Sequence, residues 1–507
     1  MRKIIPLLLI SFSLFATSNI RSLYNSLDPY SLTQYMAFYE LYPDTREGKE
    51  ALSHVWQLLR QNPNQQNMPR FLLPKFDIQA IVSLVTRQPF DPPVKLADQE
   101  MKAVESLCSH FHNRKLKGAS VWTQEEVLAL PPEEVDLCRG LLIEQFADAE
   151  NPKQEIRQYE ASLDLMALQI LARLPKKATS MEKVKEINRY IFQEMQFRFP
   201  PHSLYAKDID VYTFLPSVLD SRQGVCLGVS ILYLCLAQRL DLPLEIITPP
   251  GHIYVRYHEG DTLVNIETTA RGINPPNETY LGINTRKLQQ RNIKEVIGMA
   301  FVNQASVFWG KGEFDTCVNL YEKALPYLTE DKLIHLLLGM NYLFVGRKKE
   351  GDALLKPLNH YVFDHAVSED TLATDYLEGK VSAEGLKSIF LPVDETRESI
   401  KSKQKELENL LKKYPNFRAG IMQLAVSYLQ LGRLGKAREV LNRYHKIDPT
   451  DPTVEYYLSI VCAERRDFNA AWKYLKEAEE ITAKRDHYPM ALRGLRAKLR
   501  TLCPEPT

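Results

Sequence analysis

Gly224-Val225-Cys226-Leu227-Gly228 opens the stretch on which the reading of this chain turns. Val229, Leu232, Tyr233, Leu236 and Leu240 follow, which predicts a strongly apolar helix from Cys226 to Leu240, stopped by Asp241-Leu242-Pro243. β-Rich runs come next, at 244–248, 252–257 and 262–267, and Glu259-Gly260-Asp261 between the last two fits a hairpin turn. A helix followed by about three antiparallel strands is an α+β unit.

The chemistry is concentrated in the same stretch. Gly224 lets the chain turn tightly before the helix. Cys226 then stands in the first helical turn, where unsatisfied N–H groups and the positive end of the dipole lower a thiol's pKa. The thiolate is the nucleophile, so a cysteine gains most at that position. His252, after Pro249-Pro250-Gly251, opens an apolar strand and can take the thiol proton near neutral pH. Glu267 ends the next strand and is the candidate to fix the imidazole's orientation. Strands folding back at Glu259-Gly260-Asp261 are expected to bring His252 and Glu267 side by side. Gln223 is the candidate side-chain oxyanion donor, with the backbone N–H of Cys226 as a second.

Other groups fail as sites. His110 and His112 would diverge on a helix and lack a third ligand. His258 lies by the hairpin turn, and Asn277-Glu278-Thr279 matches a glycosylation sequon that often arises by chance. The seven cysteines, 108, 138, 226, 235, 317, 462 and 503, form no CxxC pair, so no zinc site is expected, nor any metal or cofactor. Cys235, Cys317 and Cys462 fall in apolar helical patterns and read as small core residues.

Upstream, residues 19–150 read as an all-α region without chemistry, interrupted at Pro89, Pro92 and Pro93, with a helix expected to start at Pro131-Pro132. In the 151–290 segment, Leu163, Met166, Ala167, Ile170 and Leu171 mark one buried helix face, and Ile187, Tyr190 and Ile191 another behind a Ser180 cap. Downstream, Ala305 and Gly312 are followed 34 residues later by Gly339 and Gly346. Ala425, Gly432, Ala437 and Leu441 are matched at the same interval by Ser459, Arg466, Ala471 and Leu475. A 34-residue period with small residues where helices cross resembles tetratricopeptide repeats. Repeats 1 and 2 are expected over 295–360, a linker or degenerate repeat over 361–395, and repeats 3 and 4 over 396–500 behind a half-unit from Ile400 to Tyr414. Together these segments predict an α+β core preceded by an all-α region and followed by an α-helical solenoid.

The stretch from Gly224 to Gly272 resembles the transglutaminase-like superfamily, with its papain-like fold, in which a Cys opens a helix, a His opens a strand and an Asp ends the next. Leu232-Tyr233-Leu234, the run from Ala237 to Pro243 and Pro250-Gly251-His252 are most similar to its bacterial SirB-like branch, whose members often carry tetratricopeptide repeats. The resemblance covers roughly residues 155–280. It implies a Cys226–His252–Glu267 triad, with Glu standing where the family has Asp. Members of the branch often lack the cysteine; this chain keeps it.

At 507 residues the chain is too long for one core, and its net charge of +1 gives no electrostatic case for nucleic acid. Arg2 and Lys3, the apolar run from Ile4 to Ala16 and a small-residue stretch ending at Ser18 read as a leader over residues 1–18. Export to a bacterial periplasm or medium is therefore expected. Two functions follow. One is a thiol-dependent amide hydrolase (peptidase-like) or acyltransferase acting on a protein or peptide, with partner recruitment by the repeats. The other is a catalytically weak or inactive transglutaminase-like scaffold whose repeats bind a protein partner.

Overall fold

The structure, a computed structural model, describes residues 19–60, 79–89, 91, 92, 94–200, 213–390, 393 and 396–505. The leader expected at 1–18 lies outside the described residues. Among these, no helix is long and apolar enough to cross a membrane. The chain divides into two compact units, one of residues 1–200, 211–245 and 255–273, the other of 201–210, 246–254 and 274–507.

In the first unit, helices Leu32–Leu41, Arg46–Arg60, Gln79–Thr86, Asp98–Leu107 and Leu137–Gln145 precede a long helix, Pro152–Arg173. Pro131-Pro132 does not start a helix. It leads only into a single 3-10 turn, Pro132–Glu134. The helix begins at Leu137 instead, behind Asp136, whose carboxylate accepts the Arg139 N–H. The Pro152–Arg173 helix departs from the expectation of a single buried face: Leu163 through Ile170 are all buried, Asp164 and Gln169 among them. Helix Ser180–Asn188 is capped by Thr179 rather than Ser180. The Thr179 hydroxyl accepts the Glu182 N–H at 3.2 Å, and the Glu182 carboxylate accepts the Thr179 N–H at 2.7 Å. The chain continues through a π-helical turn, Arg189–Glu194.

The Cys226–Arg239 helix is buried on nearly every side, as its apolar run requires. Its last residue, Arg239, is itself fully buried and is tied by Nε to Asp164 Oδ1 at 2.7 Å. Asp164 Oδ2 accepts from Arg114 at 2.5 Å, and Glu160 accepts both Nε and Nη2 of Arg139, at 2.6 and 2.8 Å. The Arg239–Asp164 bond fastens the Cys226 helix to the Pro152–Arg173 helix, and the others tie Arg114 and the Leu137–Gln145 helix to it.

Strand β1 is Glu245–Thr248, β2 is Tyr254–Glu259 and β3 is Thr262–Ile266. β2 and β3 pair antiparallel, from Val255↔Ile266 to Glu259↔Thr262. The turn between them is two residues long, and Gly260 takes φ +56°, which favours glycine. β2 begins two residues after His252, and β3 ends one residue before Glu267.

In the second unit, β1 pairs antiparallel with β4, Gln289–Arg291, a strand too short and polar to stand out in the sequence. Helix pairs follow: Ile293–Lys311 with Phe314–Ala324, Lys332–Phe344 with Lys348–Leu355, Arg418–Gln430 with Leu434–Ile447, and Pro452–Glu464 with Phe468–Ala483. Helix Arg397–Lys413 stands before the third pair and Met490–Leu502 after the fourth. Between the second pair and Arg397 lie two short helices, Thr371–Leu377 and Ala383–Ile389. The 34-residue register has a packing cause. Ala305, Ala425 and Ser459 are fully buried, and a Cβ on Gly339 would stand 2.9 Å from Leu355. Gly312, Gly346 and Gly432 all take positive φ after the first helix of a pair.

Candidate functional site

Cys226 is the first residue of its helix, and Val225 before it makes no side-chain cap. Among the described residues, the N-cap position thus leaves the first N–H groups beside the thiol without a side-chain cap. Gly224 is needed for a reason other than a tight turn: its φ is not positive, but a Cβ there would meet Val229 Cγ2 at 2.7 Å and Val218 Cγ2 at 3.4 Å. The strand-like piece before the helix is pinned by backbone bonds, Gly224 N to Arg198 O and Arg198 N to Arg222 O, both 3.1 Å. Gln223 sits in this piece, with its N–H donated to Ser221 Oγ at 3.1 Å.

Cys226 and Cys503 are the half-buried thiols; the other five cysteines are buried. Burial pushes Cys108 and Cys138 well above the usual thiol range and Cys317 up to about 12. A thiol held neutral in this way is inert.

Glu267 is buried and heads a 3-10 turn, Thr268–Ala270. Its Oε1 accepts the Thr269 N–H at 3.2 Å and the Thr269 hydroxyl at 2.7 Å. Gly272 donates to Glu267 O at 2.8 Å and takes φ +76°; a Cβ there would run into the Asn188 amide. The next residue, Thr268, carries the link to the Cys226 helix. Its hydroxyl is 3.0 Å from Ser230 Oγ and 3.5 Å from the Cys226 carbonyl oxygen. Within the first unit, then, the Glu267 turn is docked on the first turn of the Cys226 helix. Sequence reasoning did not single out Thr268 or Ser230. The available signal was one hydroxyl, four residues after Cys226, in an otherwise apolar helix face.

His252 belongs to the second unit. It donates its N–H to Pro249 O at 3.0 Å, which turns the chain before β2. Its ring stacks on Tyr280 with centroids 5.6 Å apart and 22° between planes, and Tyr280 stacks in turn on Tyr254 at 4.8 Å. Tyr280 comes from the 3-10 turn Asn277–Tyr280, and no periodicity marked it. The β2–β3 pairing begins at Val255↔Ile266, so neither His252 nor Glu267 belongs to that ladder itself.

Two of the other histidines weighed as sites, His258 and His112, have partners of their own. His258 Nδ1 lies 3.0 Å from Glu245, and His112 Nδ1 lies 3.3 Å from Asp241.

This is a transglutaminase-like domain joined in one chain to tetratricopeptide repeats, an architecture with protein-interaction capacity. Residues 157–291 match the family model of the transglutaminase-like superfamily, and residues 418–461 match that of the tetratricopeptide repeat. Among curated proteins the chain is similar to the UPF0162 protein PA3419 of Pseudomonas aeruginosa, 28% identical over 163 residues, which cover 31% of this chain and 53% of that protein. The chain thus spans about half the length of the curated relative it matches. Among solved structures it is similar to TTC0263, a tetratricopeptide repeat protein of Thermus thermophilus, at 17% identity over 40% of this chain and 97% of that one, with a TM-score of 0.21. It is likewise similar to YrrB, a tetratricopeptide repeat protein, at 16% identity over 39% of this chain and 92% of that one, with the same TM-score of 0.21.

Proposed function

We propose that the chain is a thiol-dependent amide hydrolase or acyltransferase, with Cys226 as nucleophile, His252 as proton carrier and Glu267 as the carboxylate that orients it. The observation that carries this reading is the position of Cys226 at an uncapped helix start, with the Glu267 turn bonded to that same helix through Thr268.

In the reaction the thiol proton passes to the imidazole and the thiolate adds to the amide carbonyl carbon. The C–N bond breaks as the imidazolium returns the proton to the departing amine. Water, or a second amine for acyl transfer, then cleaves the thioester and restores the thiol. The backbone N–H of Cys226 and the Gln223 side chain are proposed to meet the oxyanion. The repeats supply a helical surface for a protein or peptide partner and deliver it to the thiol. Residues 1–18 act as an export leader in this reading; Arg2 and Lys3 found on the mature protein would exclude it.

The deciding experiment is iodoacetamide labelling of the full chain across about pH 5 to 9, with the labelled peptides located by mass spectrometry. Cys226 is expected to label faster than Cys503, and His252→Ala is expected to move its profile to higher pH. Labelling of Cys226 no faster than that of Cys503 overturns the catalytic reading.

One observation favours the scaffold reading. The Glu267 carboxylate caps its own turn through Thr269, a structural use that needs no imidazole. Under that reading Cys226→Ala keeps partner binding and the labelling contrast is absent.

A further inference from the structure

The strongest unassigned cluster lies in the repeats. His445 comes from the Leu434–Ile447 helix, Glu455 from Pro452–Glu464 and Glu477 from Phe468–Ala483, and one donor atom of each lies within 4.8 Å of the other two. Glu455 has no exposed side-chain surface. Its Oε1 faces His445 Nδ1 at 2.6 Å, but its Oε2 is buried without a hydrogen-bond partner. Oε2 of Glu477 is a second buried carboxylate oxygen without a partner. The nearest base to Glu477 is Lys473, 3.9 Å from Oε1 and 63% exposed, a pair that solvent screens.

Two close carboxylates with bare buried oxygens and a single imidazole lack a cation. The imidazole is already fixed: its ring stands edge-on to Tyr474 at 5.6 Å, and the Tyr474 hydroxyl donates to Asn442 at 2.9 Å. Ring packing of this kind limits the orientations open to the imidazole.

We propose that His445, Glu455 and Glu477 form a site for one divalent transition-metal ion of the zinc class. One nitrogen and two carboxylate oxygens at about 2.0–2.2 Å suit that class, with water completing the shell. Calcium and magnesium select oxygen-only shells and would leave the imidazole unused. Partial exposure of His445 and Glu477, at 24% and 34% of the side chain, gives the ion a route in. Cysteine spacing could not reveal the site, because no cysteine takes part and the donors come from three successive helices.

The test is isothermal titration of the untagged full-length chain with zinc chloride. One ion per chain is expected, with a rise in melting temperature on binding. Glu455→Gln, His445→Asn and Glu477→Gln are each expected to weaken binding at least about tenfold. Should Glu455→Gln fail to fold, the two half-exposed positions decide. The proposal is overturned if the wild type takes up no zinc at about millimolar concentration. It is also overturned if all three variants bind as the wild type does while Cys226→Ser abolishes uptake, since the ion is then held by the thiol.

Discussion

Two buried charge clusters, one in each unit, are built on opposite plans. In the first unit, Asp164 and Glu160 face Arg114, Arg139 and Arg239, and every carboxylate oxygen takes a guanidinium N–H. In the second, Glu455 and Glu477 share one imidazole, and a buried oxygen on each has no partner. A buried charge is tolerated when its partners sit in the fold, as on the Pro152–Arg173 helix. Where they do not, the missing partner points outward to a ligand. Burial alone therefore does not tell a structural ion pair from a binding site; the tally of satisfied oxygens does.

The largest effect that can break this contrast is the loss of an internal partner. Asp164→Asn leaves Arg239 and Arg114 short of a charge at a site without solvent, and is expected to cost about 3–5 kcal/mol in urea unfolding. Glu455→Gln keeps an oxygen for His445 and removes only an unmatched one. Without metal it is expected to cost no more than about 1 kcal/mol. Equal losses in the two variants would collapse the distinction.

An uncharged pair falls between these extremes. Thr268→Val removes the hydroxyl that meets Ser230 Oγ at 3.0 Å in a fully buried setting. Leaving Ser230 unmatched is expected to cost about 1–2 kcal/mol, read as a lower midpoint in urea. Under the proposed thiol chemistry it is also expected to slow alkylation of Cys226, because the Glu267 turn loses its tie to the Cys226 helix.

Much of this was legible in the sequence where one local pattern dominates. The apolar run after Cys226 and its stop at Asp241 predicted a helix that the structure ends at Arg239, and Glu259-Gly260-Asp261 predicted the hairpin. The 34-residue interval predicted tetratricopeptide repeats, because small residues must recur where helices cross. What stayed hidden depends on contacts distant along the chain. Asp164 reads as a polar interruption until Arg239, 75 residues on, is seen beside it. Counting from a turn does not show where pairing ends: β2 starts at Tyr254, not at His252. Tyr280 and the set of His445, Glu455 and Glu477 carry no periodic mark, since each is assembled by packing rather than by spacing.

The smallest effect tests whether the repeats hold strain that the charge clusters do not. Gly432 and Arg466 occupy equivalent places 34 residues apart, each after the first helix of a pair, with φ +67° and +61°. Glycine takes this left-handed backbone freely, whereas a residue with a Cβ pays about 1–2 kcal/mol. A Cβ at Gly432 would touch nothing within 4 Å, so the cost there is purely conformational, and Gly432→Ala is expected to lower stability by about 1 kcal/mol. Arg466 is exposed, so Arg466→Gly gives up little contact. The gain is trimmed by the extra freedom of glycine in the unfolded chain, leaving about 0.5–1 kcal/mol, or roughly 1–3 °C in melting temperature. A lower melting temperature for Arg466→Gly would mean that the arginine side chain holds the turn, and that the glycine register of these repeats reflects something other than backbone strain.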